Sequence, residues 1–431
     1  MIFVWPTLSS MGKMTQNTRR LPIGSRFFLF VVFLSVHVAV AETLPADNPP
    51  SYPLQRLNPK LHDITISVGI PWNQAYPPQG GASTPVRWPI IPRSNWAFAV
   101  NAQPLVADLK NGQQFRKEPN AWRLCKAVLP SGQWELPIPI AKKCYGSLTF
   151  QVRIRMNSFS SMLDENAASN IGWQEKWQGD SKSYLVPSDF IESSNEIFTQ
   201  AVHDALGENT HSMSVHHTAK TLIRYCLQNI KSDGQYVERS RTSVRGLAVN
   251  GAAKTVESGS GTACDLVCVC VATLRAAGIP SRPVIGLTNK NFVGTYTSES
   301  RYMVWAEYAL PGAGWVPFDP KRMQGTVDRV LLKDQWQGLG SMPFLNTRVP
   351  IAFSFVVDGV KNAYDAIGPW SWIPIYKDRP LPVPQNFNSI PWYQTANEET
   401  YLLVPYSPST QQVGVISLGS GTSTPPKVEQ Q

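Results

Sequence analysis

Six cysteines and six histidines are the residues of this chain best suited to nucleophilic or acid–base chemistry, and their spacing limits what they can do. Cys264 follows Gly261-Thr262-Ala263 at the start of an apolar helical run. A thiol in the first turn of a helix lies near exposed backbone N–H groups and the positive end of the dipole, which favour its thiolate. Such a nucleophile needs a base within hydrogen-bond reach, and no histidine occurs after His217. His203, His211, His216 and His217 precede it with no carboxylate or cysteine motif alongside, and they read as surface or capping residues. Cys226, Cys268 and Cys270 sit in apolar helical contexts, where cysteine behaves as a small buried hydrophobe. Cys125 and Cys144 flank a hairpin-like segment, so a disulfide between them and two free thiols are both open readings. No Cys-x-x-Cys or histidine pair has zinc spacing, so neither a metal nor a cofactor is expected.

The segment from Gly261 to Lys321 is the most informative. It reads Gly-Thr-Ala-Cys-Asp at 261–265 and Leu-Arg-Ala-Ala-Gly-Ile-Pro-Ser-Arg at 274–282. It continues with Met-Val-Trp-Ala-Glu-Tyr at 303–308 and Gly-Trp-Val-Pro-Phe-Asp-Pro at 314–320. These spaced blocks resemble the core of the transglutaminase-like superfamily, an offshoot of the papain-like cysteine peptidase fold. Members of that family typically carry Gly-x-Cys-x-Asp, a helix ending Leu-Arg-x-x-Gly-Ile-Pro-x-Arg, then His-x-Trp-x-Glu, and Gly-Trp-x-x-x-Asp-Pro.

The resemblance implies a cysteine at a helix start, a histidine on the next strand as proton carrier, and an aspartate that orients the imidazole. Together these attack a carboxamide and form a thioester. Counting back from Arg275 along an unbroken helix, the family's cysteine position falls on Ala263, and Asp265 keeps the register. The histidine position falls on Met303, two residues before Trp305, and the aspartate position on Asp319 is retained. Cys264 is one residue away from the nucleophile position, a turn of about 100° around the helix that aims it out of the usual cleft. Trp305, Trp315 and Phe318 are expected to pack, Glu307 to bond within the scaffold, and Asp319 to take an ordinary turn or backbone-bonding role. Alanine suits a helix start, and methionine fills space without a polar atom to satisfy.

The elements that must position these residues are legible to different degrees. Period-two segments at 63–68, 96–100 and 148–156, punctuated by Pro and Gly, indicate a β-rich, sandwich-like part. In the last of them Thr149, Gln151, Arg153 and Arg155 share one face, so one side is expected to pack and the other to be wet. Helical spacing follows at Ile197, Ala201 and Ala205, and again at Leu222, Ile223, Cys226, Leu227 and Ile230. Thr262 with Asp265 resembles a capping box opening a helix over 263–277 that ends at Gly278. Strands are expected at 282–287, 302–308, 314–318 and 349–357. The fold class is therefore α+β, with a transglutaminase-like core of helices on an antiparallel sheet, preceded by the β-rich part.

The chain starts with basic residues ahead of a run from Phe27 to Val40 that is apolar apart from Ser35 and His37, ending Ala39-Val40-Ala41. That pattern reads as a signal peptide over 1–41, shorter than the ~18–20 apolar residues of a membrane span. An uncleaved signal anchor is the alternative. Residues 42–56 read as a linker, 57–160 as the β-rich domain, 185–330 as the core, 331–405 as an extension and 406–431 as a disordered tail. Four of the 39 basic residues and no acidic one precede residue 42, so the formal charge of +9 falls to about +5 in the exported part. No dense Lys/Arg block is present, which argues against nucleic acid as a partner. The expected protein is exported, periplasmic or extracellular, and non-catalytic, with a peptide or protein ligand implied by the resemblance. The alternatives are an amide hydrolase or acyl transferase using Cys264, and a carbohydrate surface built from Trp370, Trp372, Tyr376, Trp392 and Tyr393.

Overall fold

The structure is a computed structural model. It describes residues 50–72, 85–99, 105–109, 116–118, 126–128, 133–139, 146–239, 244–288, 302–355, 392–403 and 415–417. The leader expected at 1–41, Cys125, Cys144, Trp370, Trp372 and Tyr376 lie outside these residues.

The N-terminal part is antiparallel sheet. Strand β1 (Leu54–Trp72) runs alongside β2 (Gly146–Leu163), from the pair Leu54 and Leu163 to the pair Trp72 and Gly146. Short strands at 97–99 and 105–109 extend this sheet from β2. A second sheet joins 85–90, 133–139 and 126–128. The side chains of 148–155, on which the wet and packed faces were expected, lie outside the described residues; beyond them, residues 156–161 are buried on both faces. The cause is the segment 341–346, which lies against this end of β2. Ser160 Oγ donates to the Pro343 carbonyl at 2.6 Å, and the Leu163 N–H donates to Ser341 Oγ at 3.1 Å.

Helices follow as α1 (Glu165–Ser169), α2 (Glu196–Leu206), α3 (Val215–Asn229), α4 (Ala252–Ser258) and α5 (Ala263–Ala276). Helix α5 is apolar nearly all round, and such a helix must be enclosed; every residue from Ala263 to Arg275 is buried. Thr262 Oγ1 accepts the Asp265 N–H while Asp265 Oδ2 accepts the Thr262 N–H, the reciprocal cap expected from the sequence. The helix stops at Gly278 (φ +81°), where the Ile279 N–H reaches the Leu274 carbonyl and the Gly278 N–H reaches that of Arg275. A left-handed glycine with this double closure is an ordinary helix stop.

The core sheet is β3 (Ser281–Thr288), β4 (Tyr302–Leu310), β5 (Gly314–Phe318) and β6 (Arg348–Ala352), in the antiparallel order β5-β4-β3-β6. Between β5 and β6 lies the short α6 (Pro320–Gln324). Residues 331–405, expected to be one extension, contribute to two sheets. β6 completes the core sheet, whereas β7 (Trp392–Leu403) pairs with β1. Within the segment expected to be a disordered tail, Val415–Ser417 pair with β7. One hydrophobic cluster runs from Leu54, Trp96 and Met156 through α5 to β4 and Phe353, so the β-rich part and the core share their interior. Among the described residues, no helix is long and apolar enough to cross a membrane.

Along β4, Met303, Trp305 and Glu307 alternate with Val304, Ala306 and Tyr308, so the two sets occupy opposite faces. Glu307 is ion-paired with Arg282 at 2.7 Å, both buried, and the Arg282 guanidinium lies between Trp315 and Phe353 at 4.0 and 3.6 Å. On the other face, Tyr308 OH meets His216 Nδ1 at 2.6 Å. His216 Nε2 in turn contacts Glu165 Oε2 at 2.6 Å, and Lys220 Nζ donates to the same oxygen at 3.0 Å. His216 is therefore a fully buried core residue, not the surface or capping histidine expected. The carboxylate that explains it comes from α1, 51 positions earlier, where no local motif reveals it.

Burial alone would raise the Glu165 carboxyl, but the hydrogen bonds and charges of His216 and Lys220 outweigh it and hold the group below its ordinary value of 4.5. A carboxylate depressed on folding stabilises the native state above its unfolded pKa, and that contribution disappears as pH falls through the folded pKa. Glu165→Gln is thus expected to flatten the acid limb of the stability curve, measured by urea unfolding between about pH 6 and pH 3.5. Glu165→Ala strands the buried Lys220 ammonium without its anion and is expected to cost about 3–5 kcal/mol at neutral pH.

Candidate functional site

Ala263, the position expected to hold the nucleophile, opens α5 and is fully buried. Its N–H donates to the Gln235 carbonyl at 2.9 Å. That carbonyl belongs to a strap, residues 231–236, held across the helix start. The Asp233 N–H donates to the Gly261 carbonyl at 3.1 Å. Lys321 Nζ donates to the Gly234 carbonyl at 2.6 Å and lies 4.7 Å from the Tyr236 ring centre. Asp265 ties down the opposite side, accepting the N–H groups of Asn250 and Gly251 and the amide of Asn250. The Thr262, Ala263 and Asp265 N–H groups at this helix start are thus used within the fold.

Cys264 is also fully buried, and its Sγ donates to the Tyr236 carbonyl at 3.4 Å. Burial pushes its thiol well above the ordinary value, and the charges of Asp265 and Asp233 push the same way. Cys268 and Cys270 are raised by burial as well. No bond among the described residues brings a histidine to Cys264 or to Asp319. His203 and His211 are exposed, His217 lies by Ser214 and Ser169 at the start of α3, and His216 is committed to Tyr308 and Glu165.

Asp319 caps α6: its Oδ1 accepts the Arg322 N–H at 3.1 Å, and its own N–H donates to the Gly338 carbonyl at 2.8 Å. Its Oδ2 accepts from Arg348 Nη2 at 2.6 Å, with both side chains buried. The backbone-bonding role expected of Asp319 is present, but the strong partner is a guanidinium from β6. Arg348 also lies 5.6 Å from the Trp305 ring centre. The sequence carries one signal for Arg348: a lone cation opening the apolar run Arg-Val-Pro-Ile-Ala needs a buried counter-charge. Tyr236, on the strap, has no such signal in the sequence. Burial raises its phenol, and Asp319 raises it further while Arg348 opposes, which places its hydroxyl in the field of this pair.

Met303 sits on β4 opposite Gly286, half-buried and packed against the core. Gly286 is required there, because a Cβ would meet the Trp305 ring at 2.5 Å and the Val349 carbonyl at 2.6 Å. Beside Asp319 and Arg348 opens a cavity of about 380 Å³, whose lining includes Arg322, Arg348, Trp336 and Phe344.

Two outcomes follow. Iodoacetamide at neutral pH is expected to leave Cys226, Cys264, Cys268 and Cys270 unlabelled in the native protein and to modify all four on unfolding, as read by peptide mass spectrometry. Asp319→Asn and Arg348→Met are each expected to cost about 3–5 kcal/mol in urea unfolding, and the double variant less than their sum, because each single change strands one buried charge.

Comparison with known proteins gives the following. Residues 202–320 match the model of the transglutaminase-like superfamily core, a span that contains α5, Met303 and Asp319 but ends before Arg348. No curated protein matches the chain. Among solved structures, a candidate cysteine protease from Cytophaga hutchinsonii is 13% identical with a TM-score of 0.43, covering 86% of this chain and 94% of its own. The periplasmic domain of TgpA from Pseudomonas aeruginosa is 12% identical with a TM-score of 0.26, covering 64% of this chain and 92% of its own. A candidate protease from Parabacteroides distasonis is 10% identical with a TM-score of 0.22, covering 66% and 69%. Residues 202–320 form a transglutaminase-like domain.

Proposed function

We propose that this chain is an exported, non-catalytic member of the transglutaminase-like superfamily that acts by binding a peptide or protein. The observation that carries the reading is the ion pair at Asp319. The oxygen that would steady an imidazole is held by Arg348 Nη2 at 2.6 Å. A guanidinium is always charged and accepts no proton, so it does not substitute for a histidine base. Three further features support the reading. Ala263 supplies a methyl group where the motif register puts the sulfur, and its N–H, which would help stabilise an oxyanion, is already used by Gln235. Met303 supplies no proton carrier. Cys264 is enclosed, with a thiol far from the thiolate form at neutral pH. Export rests on the apolar run from Phe27 to Val40 and its small-residue end at Ala39-Val40-Ala41.

The test uses peptides bearing a glutamine carboxamide, with thioester formation read by mass spectrometry and ammonia release by a coupled assay. The natural protein is expected to form no thioester and release no ammonia. The variant Ala263→Cys/Met303→His is expected to gain a labelable thiol and a detectable thioester. Turnover by the natural protein that disappears in Cys264→Ser would reverse the reading in favour of a shifted nucleophile.

A further inference from the structure

The 380 Å³ cavity beside Asp319 has a chemistry of its own. This volume falls at the small end of the ~300–1,000 Å³ typical of ligand sites, enough for a residue or two of peptide. Its lining joins Arg322 and Arg348 to the aromatic rings of Trp336 and Phe344 and the neutral amides of Gln335 and Gln337, with no acidic side chain. Arg348 is nearly buried and its guanidinium is only part-satisfied. Nη2 is on Asp319, whereas Nη1 is shielded from water and has no hydrogen-bond partner among the described residues. A guanidinium offers five N–H donors, and a second carboxylate is the partner whose geometry suits the remainder. Arg322 is exposed, lies 5.0 Å from the Phe344 ring centre and forms no ion pair among the described residues. Two guanidinium charges thus face a single carboxylate, and the wall is left net positive in a partly enclosed space where charge is poorly screened.

We infer that this cavity binds the carboxylate of a peptide, with Arg348 and Arg322 taking the anion and Trp336 and Phe344 taking the adjoining apolar group. The inference rests on the peptide-binding reading above and names the part of the peptide that is recognised. Capturing a carboxylate needs neither a thiol nor a base, so the cavity functions without Ala263 or Met303 being restored.

Titration calorimetry of the full chain at neutral pH would use three probes. These are N-acetyl-Ala-Phe with a free carboxylate, the same peptide as its C-terminal amide, and N-acetyl-Phe-Glu amide, whose only carboxylate is on a side chain. At least one acid is expected to bind about tenfold or more tightly than the neutral amide, and to weaken as salt is raised. The two acids separate a peptide end from an acidic side chain as the source of the anion. Arg322→Gln and Gln337→Glu alter exposed residues and so spare the fold, and each is expected to weaken the acid probe by about tenfold while leaving the amide unchanged. Their thermal midpoints verify folding, which Arg348→Met does not guarantee. Equal binding of acid and amide, no binding of any probe, or indifference to Gln337→Glu would overturn the inference. So would binding of inorganic phosphate without either peptide acid. Ammonia release from glutamine peptides would instead reverse the non-catalytic reading, and it is measured separately.

Discussion

The buried contact between Arg348 and Asp319, 2.6 Å from nitrogen to oxygen, is the interaction on which the rest of this site turns. Two charges taken out of water are tolerated only as a well-made pair, and here each also anchors backbone or ring. Asp319 caps α6 and hangs from the Gly338 carbonyl, so it fixes where β5 ends. Arg348 opens β6 and lies beside Trp305, whose ring in turn demands Gly286 on the neighbouring strand. The pair therefore joins the two edges of the core sheet through a residue type that does not carry protons. On the proposed reading, the electrostatic demand once met by an imidazolium is met by a permanent cation, and the sheet keeps its shape without the chemistry.

The start of α5 has a parallel logic. A helix N-terminus is an electropositive place because its first N–H groups lack partners within the helix. Here Thr262 and Asp265 satisfy each other, and the Gln235 carbonyl takes the Ala263 N–H. A polar backbone strap covers what would be an anion-stabilising surface. Cys264, one step around, faces the carbonyl of Tyr236 and not an acid–base pair. On the proposed reading the helix serves as a packing element, and every residue from Ala263 to Arg275 is buried.

Polar groups deeper in the fold serve position in the same way. Arg275 bonds the carbonyls of Ser281 and Val186, closing the turn after α5 against the preceding segment. Arg282 pairs with Glu307 between two aromatic rings. Tyr308, His216, Glu165 and Lys220 link β4 to α3 and α1. Each group is directional as well as attractive, so together they set the register of helices on sheet more sharply than apolar packing alone does.

Much of this was readable along the chain. The apolar run of α5, its reciprocal cap and its glycine stop are local, because capping and helix periodicity act over three or four residues. The strands β3, β4 and β5 follow from alternation, and the spaced Gly, Trp, Glu and Asp-Pro blocks pointed to the superfamily. Partnerships between distant residues were not readable. Nothing near His216 announces Glu165, nothing near Asp319 announces Arg348, and nothing in 331–405 tells that β6 joins one sheet and β7 another. A side chain's type and local spacing decide which element it sits in, but a buried charge finds its counter-charge only after sheets and helices have packed. The identities of positions 263, 303 and 319 belong to the sequence alone; which cation holds Asp319, and that a cavity with spare guanidinium donors opens beside it, were decided by the tertiary fold.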